Sequence, residues 1–246
     1  MKKLISIFLL LSSCVNRPLG YVEERKCFKN ACAYRYGGAP DKALIYFPGM
    51  LDTKKAIEKS IFDTTEIQEI IESMKPVRVI VYSEAKIPDN VAWFAKSPQN
   101  IDAVLKDVKE PMFAIGHSMG GYNLAVYAAM RPSRFKKIAL TNPMLLPEGN
   151  TPFNTISGPA LILKSHYSKS EWEKLNPITL AVATEIYPKT LISSCKQDIW
   201  GLFSAAVSFN GILHVKGFDV EMYVDKPNCQ HQNIPSKRII DWFNND

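Results

Sequence analysis

Short apolar runs and stretches of helical period alternate along this chain, and the sharpest pair spans residues 111–130. Met112, Phe113, Ala114 and Ile115 run into Gly116-His117-Ser118-Met119-Gly120, after which Leu124, Ala125, Ala128 and Ala129 recur at helical spacing. The pattern predicts a buried strand, a sharp turn and a helix. Further strand-like runs occur at 43–47, 77–82, 135–141, 190–194 and 220–224. Between them, Ile57, Ile61, Ile67, Ile70 and Ile71 place one or two helices within 55–74, and helices are also expected at 98–108, 205–215 and 235–243. Strands that alternate with helices imply an α/β fold, a mostly parallel central sheet with helices on both faces. Such sheets bind ligands at the carboxyl ends of their strands, where Ser118 falls.

Two stretches break the rhythm. Residues 143–188 exceed what one crossover needs and carry Pro147, Pro152, Gly158, Pro159 and Pro177 between apolar patches. They form either a small cap over the site or a crossover with an extra helix. Residues 14–42 carry Gly20, Gly37, Gly38 and Pro40 among charges and read as a tether with an irregular or short-strand lead into a domain over 43–246.

The length of 246 residues, with 46% hydrophobic and 22% charged, suits one α/β domain with a sizeable core. The formal charge is +6, but lysines are scattered, with pairs beyond the N-terminus only at Lys54-Lys55 and Lys136-Lys137. That distribution fits a solvated basic surface and not a nucleic-acid site. At the N-terminus, Lys2-Lys3 precede an apolar run over 4–11 broken only by Ser6, and Ser12-Ser13-Cys14 follow. This has the form of a secretory signal over 1–13, because the run is less than half the ~20 residues of a membrane-spanning helix. Leu11-Ser12-Ser13-Cys14 resembles the bacterial lipobox. That resemblance implies an acylated Cys14 as mature N-terminus, with the protein exported and held at a membrane surface, facing the periplasm or cell exterior.

A G-x-S-x-G pentapeptide between a strand and a helix is the pattern of a nucleophile elbow, with small residues flanking a strained serine. Ile-Gly-His-Ser-Met-Gly-Gly, the small-residue helix after it, Arg131-Pro132 and the strand ending in Asn142-Pro143 together resemble the α/β-hydrolase superfamily of esterase and lipase type. The resemblance runs from about Ala43 onward and implies Ser118 as nucleophile, with an acid and then a histidine later in the chain. It also implies two oxyanion donors, the amides of Met119 and of Met50, the latter after Pro48-Gly49 where the family commonly has His-Gly.

Four histidines compete for the base. His117 sits inside the elbow and is expected to point elsewhere, His166 lies in the cap region, and His214 belongs on a helix, partly buried. His231 follows the last strand across a polar loop, where the superfamily places its base. For the acid, Asp198 lies just beyond the strand next to that of His231; its alternative role is an N-cap for a helix from Ile199. Asp219 and Asp225 are weaker competitors, and Asn142, at the other usual acid position, is not a carboxylate.

Export makes the even set Cys27, Cys32, Cys195 and Cys229 candidates for disulfides. Three pairings are open; the most attractive joins Cys195 to Cys229, each a few residues ahead of a catalytic candidate, and Cys27 to Cys32. No Cys/His spacing suits zinc, so neither metal nor organic cofactor is expected. The resulting expectation is a Ser118–Asp198–His231 ester hydrolase acting on a small-molecule or lipid acyl substrate. Thioesterase, amidase, peptidase or acyltransferase chemistry would use the same residues, and a non-catalytic binding lipoprotein would keep only the fold.

Overall fold

Successive side chains of a strand point to opposite faces, and in the central strands of this protein both faces are apolar. The computed structural model describes residues 22–27, 31–36, 39–49, 64–83, 93–145, 170, 174–198 and 201–245. In β3 (Ala39–Phe47), Ala43, Ile45 and Phe47 enter one core while Leu44 and Tyr46 enter a second. β4 (Pro76–Tyr82) divides Ile80 and Tyr82 from Val79 and Val81, and β5 (Met112–His117) divides Ala114 from Phe113 and Ile115. β6 (Phe135–Thr141), β7 (Lys189–Ser194) and β8 (Val220–Val224) continue the sheet.

The first core is covered by α2 (Trp93–Leu105), α3 (Met119–Met130), α4 (Pro177–Ala183) and α5 (Phe203–Val215). The second is covered by α1 (Thr65–Met74) and α6 (Ser236–Asn244). Helix α1 shows why: Ile67, Ile70, Ile71 and Met74 form one buried stripe at i, i+3, i+4, i+7. Each such side chain contributes about 1.5–3 kcal/mol on burial. Helix α3 is buried on every side from Met119 to Ala129, which its glycines and alanines permit.

With β1 (Val22–Cys27) and β2 (Ala31–Tyr36), the sheet has eight strands among the described residues, in the order β1-β2-β4-β3-β5-β6-β7-β8, with β3 to β8 mutually parallel. The α/β architecture expected from the alternation is therefore the one observed. Several boundaries differ. The segment read as a tether with an irregular or short-strand lead contains two strands of six residues, β1 and β2, an antiparallel pair that adds to the sheet through β4, and β3 starts at Ala39, not at 43. Helix α2 starts at Trp93 and runs through Pro98, which was expected to open it. Proline that close to a helix start gives up one backbone hydrogen bond with little helix upstream to disturb. The described part of the 55–74 segment is helical only from Thr65, and the rest of that segment lies outside the described residues. So do residues 146–169 and 171–173 of the cap region; within its described part, Asn176 caps α4 by accepting from the amides of Ile178 and Thr179. No helix among the described residues is long and apolar enough to cross a membrane.

Candidate active site

Strand β5 delivers Ser118 to the carboxyl edge of the sheet, and the turn into α3 holds it at φ 54°, ψ −120°. A non-glycine residue there costs on the order of 1–3 kcal/mol and persists only if its surroundings over-determine it. They do: the Ser118 amide donates to the Thr141 carbonyl at 3.0 Å, and its own carbonyl accepts from Gly121 at 3.0 Å and Met144 at 2.9 Å. The flanking glycines are explained by close backbone approach. A Cβ on Gly120 would lie 2.0 Å from the Phe47 carbonyl oxygen and 2.3 Å from that of Pro48, and one on Gly116 would lie 2.8 Å from the Gly121 Cα. Gly121, which the motif does not include, is equally constrained, with a Cβ 2.6 Å from that of Pro143. The start of α3 is thereby pressed onto the end of β3, and a Cβ on Gly49, in the loop that follows, would lie 3.5 Å from that of Ser118. Met50, the other expected oxyanion donor, lies outside the described residues, as do Cys14 and His166. Met119 opens α3, so its amide has no acceptor within the helix.

The structure brings Ser118, His231 and Asp198 together. The Ser118 Oγ lies 2.9 Å from His231 Nε2, and His231 Nδ1 lies 2.7 Å from Asp198 Oδ2. An ionised carboxylate only accepts hydrogen bonds, so Nδ1 carries the proton and Nε2 is left to accept the serine hydroxyl. The Asp198 side chain is fully enclosed and that of His231 is 12% exposed. Asp198 does not cap a helix, because α5 begins at Phe203 after Leu202. Of the weaker acid candidates, Asp219 pairs at the surface with Lys189 at 3.5 Å, and Asp225 accepts from the Ser193 hydroxyl at 3.2 Å. Burial raises the Asp225 pKa, and the Ser193 hydrogen bond offsets part of that rise.

Two of the other histidines differ from expectation. His214 is on α5 but exposed, in its last turn, where a cation suits the helix dipole and Leu213 takes the buried face. His117 does not point away from the site. Its ring centroid is 5.2 Å from that of His231, and its Nδ1 is 3.0 Å from Thr141 Oγ1. Burial lowers its pKa to about 4, with the neighbouring His231 adding to the effect, so His117 is neutral at physiological pH.

A disulfide joins Cys195 to Cys229 and ties the loop bearing Asp198 to the loop bearing His231. Cys32 is also disulfide-bonded, and its backbone stands opposite Cys27 in the β1–β2 register; the Cys27 side chain lies outside the described residues. Asn142, set aside in the sequence because it is no acid, is fully buried between these same loops at φ 42°. Its Nδ2 donates to the carbonyls of His231 at 2.9 Å and Asn233 at 3.3 Å, and its Oδ1 accepts from the Cys195 amide at 2.7 Å. No group of three or more His, Cys, Asp or Glu suited to a metal ion occurs among the described residues.

A mostly parallel sheet carrying a serine elbow after β5, with a carboxylate after β7 and a histidine after β8, is the arrangement of the α/β-hydrolase fold, and this chain has that fold. Its residues 89–194 match the family described as serine aminopeptidase, S33. Human monoglyceride lipase is 38% identical over 68 residues, which is 26% of this chain and 22% of the lipase. The chain thus spans under a quarter of the length of that curated relative. A substrate-bound fluorophosphonate-binding serine hydrolase of Staphylococcus aureus superposes with TM-score 0.66 at 20% identity, covering 89% of this chain and 93% of that one. An esterase from Pyrobaculum calidifontis gives TM-score 0.66 at 15% identity over 93% and 85% of the two chains. An acylaminoacyl peptidase from Pyrococcus horikoshii gives 0.67 at 14% identity over 91% and 41%. At these identities the structural likenesses establish the fold.

Proposed function

We propose that this protein is a serine hydrolase that cleaves carboxylic esters through an acyl-enzyme intermediate, with Ser118, Asp198 and His231 as its triad. The observation that carries this reading is the continuous chain of contacts from Ser118 Oγ through His231 to Asp198, at 2.9 and 2.7 Å. His231 takes the serine proton as Oγ attacks the acyl carbonyl, and Asp198 holds the tautomer and stabilises the imidazolium. The amide of Met119, at the head of α3, is proposed as one oxyanion donor, and the sequence pattern Pro48-Gly49-Met50 offers the amide of Met50 as the second. Each such donor is worth roughly 100- to 1,000-fold in turnover. His231 then protonates the leaving group and activates the water that releases the acid.

A fluorophosphonate probe should label the wild-type protein and leave Ser118→Ala unlabelled; folded, unlabelled wild type would sink the hydrolase reading. The names of the similar proteins include a lipase, esterases and peptidases. Relative turnover of matched ester, thioester and amide substrates therefore decides the acyl chemistry, with esters expected to lead.

The protein is further proposed to act outside the cytoplasm on a lipid anchor at Cys14. Support comes from the signal-like residues 1–13 and from the Cys195–Cys229 disulfide, a bond typical of oxidising compartments. Palmitate incorporation that disappears in Cys14→Ser is the expected result, and incorporation unaffected by that change refutes the anchor.

A further inference from the structure

Asn142 engages both polar atoms of its side chain and its backbone N–H. Besides the two carbonyls and one amide that its side chain engages, its backbone N–H donates to the Ser193 carbonyl at 2.8 Å. The amide orientation follows from its partners: two carbonyls face the nitrogen and one N–H faces the oxygen, and a flipped amide would oppose like groups at each contact. The residues beside it grip the nucleophile, since Thr141 accepts from the Ser118 amide at 3.0 Å and Met144 donates to the Ser118 carbonyl at 2.9 Å. Residues 141–144 therefore contact the backbone of Ser118, of His231 and of Cys195, three residues before Asp198.

Resting on the triad reading above, we propose that Asn142 is a positioning residue that clamps the His231 loop to the Asp198 loop and so sets the His231 ring between Ser118 and Asp198. It meets no reacting atom and acts through the His231 carbonyl and the Cys195 amide. The role calls for an amide. A carboxylate at this position would turn an oxygen toward two carbonyls, whereas the asparagine offers both a donor and an acceptor and tolerates the left-handed backbone.

Two substitutions test the clamp. Asn142→Gly keeps the left-handed backbone and removes the side-chain contacts, while Asn142→Asp keeps the shape and removes the donor. Wild type and variants are assayed with a p-nitrophenyl ester over acid to mildly alkaline pH, per folded molecule. Asn142→Gly should lower kcat about 10- to 100-fold with KM within about twofold, the effect of a small displacement at the reacting centre. Asn142→Asp should acquire a descending limb on the alkaline side, because the buried carboxyl can donate only while protonated and burial raises its pKa. Wild-type kcat and pH profile in both variants overturn the proposal, as does a lower melting temperature with unchanged kcat. If Asn142→Asp fails to fold, Asn142→Gly decides alone. A readout independent of turnover is the low-field proton resonance of His231 Nδ1–H, expected to broaden or vanish in Asn142→Gly; an unchanged resonance overturns the clamp. A wild type whose resonance is lost in Asn142→Gly, yet which neither hydrolyses esters nor takes up the fluorophosphonate, would remove the hydrolase reading and leave the clamp standing.

Discussion

His117 is a titratable side chain that the proposed chemistry does not use, placed directly against one that it does. Because burial lowers its pKa to about 4 from 6.5, the folded protein binds fewer protons there than the unfolded chain does between those values. Stability linked to His117 is thus complete above pH 6.5 and is lost as pH falls toward 4, a difference on the order of 3 kcal/mol. In His117→Asn, which keeps a polar group facing Thr141 but does not titrate, urea midpoints should fall less between pH 6.5 and 4 than in wild type; equal falls would assign the acid sensitivity elsewhere. Single residues were unevenly legible in the sequence. Ser118 stands out because its small neighbours are local, and chain order singles out His231 and Asp198. Asn142 leaves no such trace, since its partners lie 89 and 91 residues further along as bare backbone carbonyls.

Among elements, the contact of α3 with β3 is the least forgiving. Gly120→Ala would set a methyl group against the backbone carbonyls of Phe47, the last residue of a central strand, and of Pro48 just after it, with no flexible side chain to yield. Expression of Gly120→Ala should give little soluble protein, and circular dichroism should show a loss of cooperative melting; a well-folded Gly120→Ala would mean that α3 can shift away from β3. Element types followed from pattern where both strand faces are buried, as in β3 to β7. The β1–β2 pair is faint in the sequence because Val22–Cys27 reads VEERKC, charged as edge strands commonly are, with no apolar alternation to mark it. Helix α2 was placed late because Pro98 looked like a first residue and is instead inside the helix.

For the whole molecule, the Cys195–Cys229 bond and the Asn142 contacts brace the same two loops, one covalently and one by hydrogen bonds. Closing a segment of this size in the unfolded chain is worth about 3–4 kcal/mol. The Cys195→Ala/Cys229→Ala variant should therefore melt roughly 6–16 °C lower than wild type, with its secondary structure intact below the transition. A melting temperature unchanged by the double substitution would show that the hydrogen-bonded brace suffices.

The contact between Ser118 and His231 joins residues 113 positions apart, and that between His231 and Asp198 joins residues 33 apart. The first of these carries a larger loop-closure cost than any contact that holds the elbow. The elbow, by contrast, is held by Gly121, Thr141, Met144 and the end of β3, all nearer to Ser118 in the chain than His231 is. Under the proposed reading, a chain still folding carries a shaped nucleophile with no base beside it, and the reaction is silent until the sheet has closed out to β8. Topology alone then times the onset of activity, with no separate inhibitory segment required.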